Sequence, residues 1–158
     1  MQDLILVSDG SVHAQSKIGY GAYLAVTEPG LALEELKSHV RVKRFTQTSS
    51  TKLELQTLLW ALNDLQLFGC KVMIHTDSQN IINLPARREQ LERQAYRSSK
   101  NRLLNNSELY QEFYRLTDRL DYELVKVQGH MVSKQKQDID RLFTLVDRAS
   151  RQALRAEV

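Results

Sequence analysis

A single cysteine, Cys70, rules out an internal disulfide and any zinc cluster built on cysteines. Placed just ahead of the apolar stretch "KVMIH" (71–75), it reads as a buried structural thiol. Runs of apolar residues are also scarce: none approaches the roughly 20 that cross a bilayer. The opening "MQDLILVSDG" carries an acid where a secretory leader carries positive charge, and its apolar run is too short for a leader core. A cytoplasmic location without a membrane partner is therefore the expectation. There is no internal repeat and no low-complexity linker, and 158 residues suffice to bury a core without staples, so 1–158 is expected to be one domain. With 42% hydrophobic and 26% charged residues the composition is that of a soluble globular protein. The net charge of +3 permits a polyanionic partner without demanding one.

Periodicity orders the elements. Residues 3–8 read as a buried strand that stops on Asp9, and "IGYGAYLAVT" (18–27) as a second strand closed by the turn "EPG". "ELKSHVRVKRF" (35–45) alternates charged with apolar residues, which predicts a third strand in an antiparallel meander. In "SSTKLELQTLLWALNDLQLFG" (49–69) leucines recur at helical spacing behind a Ser/Thr cap, with Gly69 as the stop. "KVMIHTD" (71–77) is a fourth strand, again ending on an acid. Helical pieces broken at Pro85 fill 78–120, "YELVKVQ" (122–128) is a fifth strand, and a last helix starts near 138. The order predicts an α/β fold: a five-stranded mixed sheet, three antiparallel strands first, flanked by helices.

Two strands ending in Asp9 and Asp77 would deliver acids to the end of the sheet, and Glu54 sits on or beside the leucine stripe of the first long helix. Each has an ordinary structural role open to it. Asp9 could cap a turn, Asp77 the following helix, and Glu54 could serve the helix dipole. Taken together they suggest clustered carboxylates, whose mutual repulsion is usually relieved by a hard divalent cation such as magnesium.

These stretches resemble type 1 ribonuclease H along the whole chain. "SDGS" (8–11) is similar to that family's "TDGS", "GYGAYL" (19–24) to "GYGAIL", "SSTKLEL" (49–55) to "TNNRMEL", "HTDSQ" (75–79) to "STDSQ", and "VQGH" (127–130) to "VKGH". The resemblance implies a ribonuclease H-like fold and hydrolysis of the RNA strand of RNA/DNA hybrids by two metal ions, leaving 3'-hydroxyl and 5'-phosphate ends. It assigns Asp9, Glu54 and Asp77 as ligands of two Mg2+ ions, with Mn2+ as a substitute. For the fourth ligand the last helix offers Asp140 and Asp147. "VDRASRQA" (146–153) is the more similar to the family's "CDELARAA", which favours Asp147. His130 matches the family's loop histidine, a proton shuttle or an aid to product release. His13, His39 and His75 match no motif.

Distinguishing RNA from DNA requires contact with the 2'-hydroxyl. The backbone at Gly10 and Ser11, the Gln79 side chain and Ser49, Ser50 and Thr51 are the candidates. Ser50 and Thr51 replace two asparagines of the family pattern, and "VHAQSK" (12–17) replaces its glycine- and proline-rich loop. Hydroxyls have shorter reach and fewer donors than amides. The segment 87–102, "RREQLERQAYRSSKNR", holds six Arg or Lys against two Glu where the family carries a basic handle for the DNA strand. Tyr96 within it could stack on a base, whereas Trp60 and Phe68 read as core. A monomer is expected. The rival readings are a DNA-cutting nuclease on the same fold and a non-catalytic hybrid-binding module.

Overall fold

A computed structural model describes residues 3–65, 67, 69–127 and 134–158, side chains of 134–136 excepted. Eleven elements are present among them: β1 (Leu4–His13), β2 (Ile18–Val26), α1 (Leu33–His39), β3 (Arg41–Phe45), α2 (Ser50–Asp64), β4 (Lys71–Thr76), α3 (Gln79–Ile82), α4 (Leu84–Arg93), α5 (Ser107–Thr117), β5 (Asp121–Lys126) and α6 (Lys134–Glu157). The strands form one sheet in the order β3-β2-β1-β4-β5. β1, β2 and β3 pair antiparallel, while β4 runs parallel to both β1 and β5.

Alternation along the central strand divides the core. Leu6 points into a cluster with Leu55, Leu58, Ile74, Phe113 and other residues of α2 and α5. Val7, one residue on, points the opposite way, toward Leu36 of α1 and Leu142 and Val146 of α6. These side chains are fully enclosed, and each contributes about 1.5–3 kcal/mol through the apolar surface it removes from water.

Glycines set how closely α2 lies on the sheet. Gly10 and Gly21 face each other across β1 and β2. A Cβ on Gly10 would lie 2.7 Å from Leu53 Cδ2, and one on Gly21 would lie 2.1 Å from Thr57 Oγ1. Leu53 and Thr57 are one helical turn apart, so the two glycines form a floor on which the start of α2 rests. Thr57 cannot retreat, being fully buried with its hydroxyl donating to the Leu53 carbonyl at 2.7 Å. Gly21→Ala is expected to destabilise the fold by about 1–3 kcal/mol through overpacking. Urea unfolding measures this, and a Thr57→Ala partner change should return part of the loss; additive effects of the two would contradict the contact.

Three sequence expectations need correction. The stretch from Leu33 to His39 is a helix, not the start of a strand. Acids Glu34 and Glu35 in its first turn and Lys37 and His39 in its last suit the helix dipole, and burial of Leu36 anchors it. The apparent alternation becomes a real strand only at Arg41. α2 ends at Asp64, well before Gly69, because Leu65 turns extended and Leu67 drops back into the core. Asp9 does not end its strand: β1 runs on to His13 along β2, although its pairing with β4 stops at Val7 opposite His75.

Smaller adjustments follow. Pro85 opens α4 rather than merely breaking a helix, since a proline at a helix start sacrifices no hydrogen bond. Cys70 is half buried on the rim of a cavity of about 710 Å³ lined by Leu62, Leu65, Leu116 and Leu120. Trp60 packs edge-on against Tyr23 beside the core, as expected. Phe68 lies outside the described residues. Among the described residues no helix is long and apolar enough to cross a membrane.

Candidate active site

β1 and β4 run parallel, and their register extended two residues past the Val7–His75 pair brings Asp9 level with Asp77. Asp9 shares its face of β1 with Val7 and Ser11, the face covered by α6. There the Ser11 and Ser150 hydroxyls are hydrogen-bonded at 3.0 Å. Asp147 precedes Ser150 by one helical turn as Asp9 precedes Ser11 by one pleat, so this bond, with Leu142 and Val146 packed in the core, accompanies the axial position of α6 that brings the two carboxyls together.

Electrostatics registers the meeting. The Asp9 carboxyl is raised from the ordinary carboxylate value to about 7, first by burial, then by the charges of Asp77 and Asp147 and a hydrogen bond between the Asp9 and Asp147 carboxyls. The Gly10 N–H, donating to Asp9 Oδ1 at 2.8 Å, opposes the rise. Asp77 at the end of β4 and Asp147 of α6 therefore both act on Asp9 of β1, and the acid of α6 that does so is Asp147. Asp140 lies two turns earlier, in a shallow surface depression with Gln137, Arg141 and Thr144.

Glu54 approaches from the other layer. It is half buried and follows Leu53, the residue that rests on Gly10, in the layer on the face of β1 opposite Asp9. It is not among the charges that raise Asp9. The ordinary structural roles open to these acids are filled by other residues. Ser49 caps α2 by accepting from the Lys52 N–H, and Ser78 caps α3 by accepting from the Ile81 N–H at 3.2 Å. Asp77, exposed just before that cap, is left with no structural duty there.

Among the described residues no three His, Cys, Asp or Glu side chains converge as a ready metal cage. Asp147 Oδ1 also accepts from Arg151 Nε at 3.0 Å. The donor chemistry nevertheless fits Mg2+: hard carboxylate oxygens, carrying more negative charge than one half-buried site tolerates. Arg151 follows Asp147 by four residues, the spacing of a helical ion pair, a signal present in the sequence but not read from it.

The remaining candidates lie on several elements. Gly10 belongs to the glycine floor, and the Ser11 hydroxyl is engaged by Ser150. Ser49, Ser50 and Thr51 stand exposed at the start of α2. Gln79 opens α3, where its side-chain N–H donates to Asn83 Oδ1 at 2.8 Å and its carbonyl accepts from Lys126 of β5. His130 lies outside the described residues. His75 is buried, and burial lowers its pKa. His13 holds Ser16 within the β1–β2 hairpin.

The basic segment divides. Arg88 is committed to Glu92 at 2.8 Å and to both oxygens of Asp118, and Arg87 lies over the Tyr110 ring. Tyr96 packs against the core rather than standing free as a base platform. Arg97, Lys100 and Arg102, in the loop after α4, remain exposed.

A family model described as RNase H matches residues 1–148. Ribonuclease H of Symbiobacterium thermophilum is 28% identical over 133 residues, covering 82% of this chain and 84% of that protein. Among solved structures, the foamy viral protease-reverse transcriptase in complex with dsDNA superposes with a TM-score of 0.68 at 12% identity, over 94% of both chains, a likeness of fold. With the family match spanning nearly the whole sequence and the strands in the order β3-β2-β1-β4-β5, the chain belongs to the ribonuclease H family.

Proposed function

We propose that this ribonuclease H hydrolyses the RNA strand of RNA/DNA hybrids by a two-metal-ion mechanism, leaving 3'-hydroxyl and 5'-phosphate ends. The observation that carries the reading is the half-buried Asp9 carboxyl, level with Asp77 across β1 and β4 and acted on by the charges of Asp77 and Asp147, which favours divalent cations as counter-charge. Asp9, Glu54, Asp77 and Asp147 would hold two Mg2+ ions, or Mn2+ in their place. Bound there, the ions supply Lewis acidity that activates water for attack at phosphorus and stabilises the departing 3'-oxygen.

The chain's own groups do the rest. The partial burial of Asp9 strengthens the charge interactions at its carboxyl. Ser49, Ser50, Thr51 and Gln79, with the backbone at Gly10 and Ser11, would supply donors and acceptors suited to a 2'-hydroxyl. His130 would carry a proton between the reacting centre and solvent. Incubation with matched RNA/DNA hybrid, duplex DNA and duplex RNA in Mg2+ tests the reading. Cutting confined to the RNA of the hybrid is expected, and equal cutting of duplex DNA would overturn it.

Arg97, Lys100 and Arg102 would grip the DNA strand through its phosphates. Changing all three to Ser should raise KM about tenfold and make the salt dependence of binding shallower, by about 2 in the slope of log affinity against log salt. Fluorescence anisotropy across a salt series measures it; an unchanged slope removes the handle from the account.

A further inference from the structure

The inward face of α6 is settled by Ile139, Leu142, Val146 and Ser150, all buried. Its opposite face carries Arg148, Arg151 and Arg155, spaced three and four residues apart and all exposed. These three line one depression of about 340 Å³ together with Asp147 and Gln152. Asp140 shares a neighbouring depression with Arg148, and the other two acids beside the stripe are already engaged. Asp147 accepts from Arg151. Glu157 accepts from Arg44 Nε at 2.7 Å and Nη2 at 2.9 Å and from the Tyr20 hydroxyl, which hold its carboxyl down to about 2. Among the described residues Arg148 and Arg155 form no ion pair.

Two of the three arginines have a structural explanation. Arg151 makes the i,i+4 pair, and Arg155 in the last turn suits the helix dipole. Arg148 has neither. A row of positive charge that starts at Asp147 and runs away from the catalytic acids is complementary to a polyanion already seated on those acids.

We propose that the outer face of α6 is a second phosphate-binding surface, on which Arg148, Arg151 and Arg155 hold the sugar-phosphate backbone of the bound nucleic acid where it leaves the carboxylates. The inference rests on the hybrid-nuclease reading above. Arg148 and Arg155 are seven residues, or roughly 10 Å, apart along the helix, about three nucleotide rises of roughly 3.4 Å. The row is therefore long enough for more than one phosphate of a single strand. Guanidinium groups present paired N–H donors that match phosphate oxygens, so the arginines contribute geometry as well as charge. Continuity with the carboxylates favours a nucleic acid over an anionic lipid surface.

The test is binding of the full chain in EDTA to a labelled RNA/DNA hybrid of about 18 base pairs, measured over a salt series. The Arg148→Ala/Arg155→Ala pair should weaken binding about tenfold and reduce the salt slope by about 2, while Arg148→Lys/Arg155→Lys should keep the wild-type slope. Both side chains are exposed, so the melting temperature reports whether the fold is intact. An Ala pair with wild-type affinity and slope overturns the proposal. So does a loss confined to vesicles containing phosphatidylserine. Parallel incubation of the wild type with hybrid and Mg2+ separates the two readings. Cleavage with an unmoved slope leaves the nuclease reading standing and removes the stripe. A hybrid that is bound but never cut, with the slope reduced in the Ala pair, does the reverse.

Discussion

Asp9→Asn is expected to abolish hydrolysis while hybrid binding survives. Losing one carboxylate of a two-ion centre removes several kcal/mol of transition-state stabilisation, or about 10³-fold or more in kcat. Asp77→Asn should be comparably damaging. The same Asp9 change should stabilise the metal-free protein. In the folded chain the Asp9 carboxyl is raised to about 7, chiefly by burial and then by Asp77 and Asp147. Between about pH 4 and 7 the folded state therefore holds a proton that the unfolded chain has released, so stability falls as pH rises through that window. At pH 8 the wild type bears the full penalty and the asparagine variant none. Allowing for the site's partial access to water, the gain is about 1–3 kcal/mol, a rise in melting temperature of roughly 3–8 °C. At pH 4 the two proteins should melt together. Calorimetry in EDTA at both pH values checks this, and full activity in the variant would refute the metal assignment.

Asp147→Asn should reduce kcat by about 10²-fold or more, whereas Asp140→Asn should stay within about twofold of wild type. The Ser11–Ser150 bond places α6 so that Asp147, and not Asp140, reaches Asp9. Asp140 stands seven residues earlier on the same helix, roughly 10 Å away along its axis. A steady-state comparison of the two variants decides between them. The reverse ranking would move the fourth ligand to Asp140 and require α6 to sit two turns from its present position.

Much of this could be read from residues in order. Leucine spacing gave α2, and the paired "DGS" and "GYG" stretches became the glycine floor beneath it. Two strands carrying Asp9 and Asp77 to one end of the sheet followed from apolar runs meeting acids. Other features depend on contacts between distant residues. The helix at Leu33–His39 is decided by Leu36 entering the core beside α6, which no local alternation reports. The continuation of β1 beyond Asp9 comes from its pairing with β2 after β4 has dropped away. Between Asp140 and Asp147, the stretch "VDRASRQA" already favours Asp147; that its carboxyl acts on Asp9 depends on how α6 docks, through Leu142, Val146 and the Ser11–Ser150 bond.

The central claim is electrostatic: carboxylates crowded at the end of this sheet favour divalent counter-charge. The most direct measurement is an NMR pH titration of the Asp9 carboxyl carbon with EDTA and again with saturating Mg2+. Titration near pH 7 in EDTA, shifted down to the ordinary carboxylate range or below in Mg2+, is the predicted result. A carboxyl that titrates at the same pH with and without Mg2+ would contradict the account.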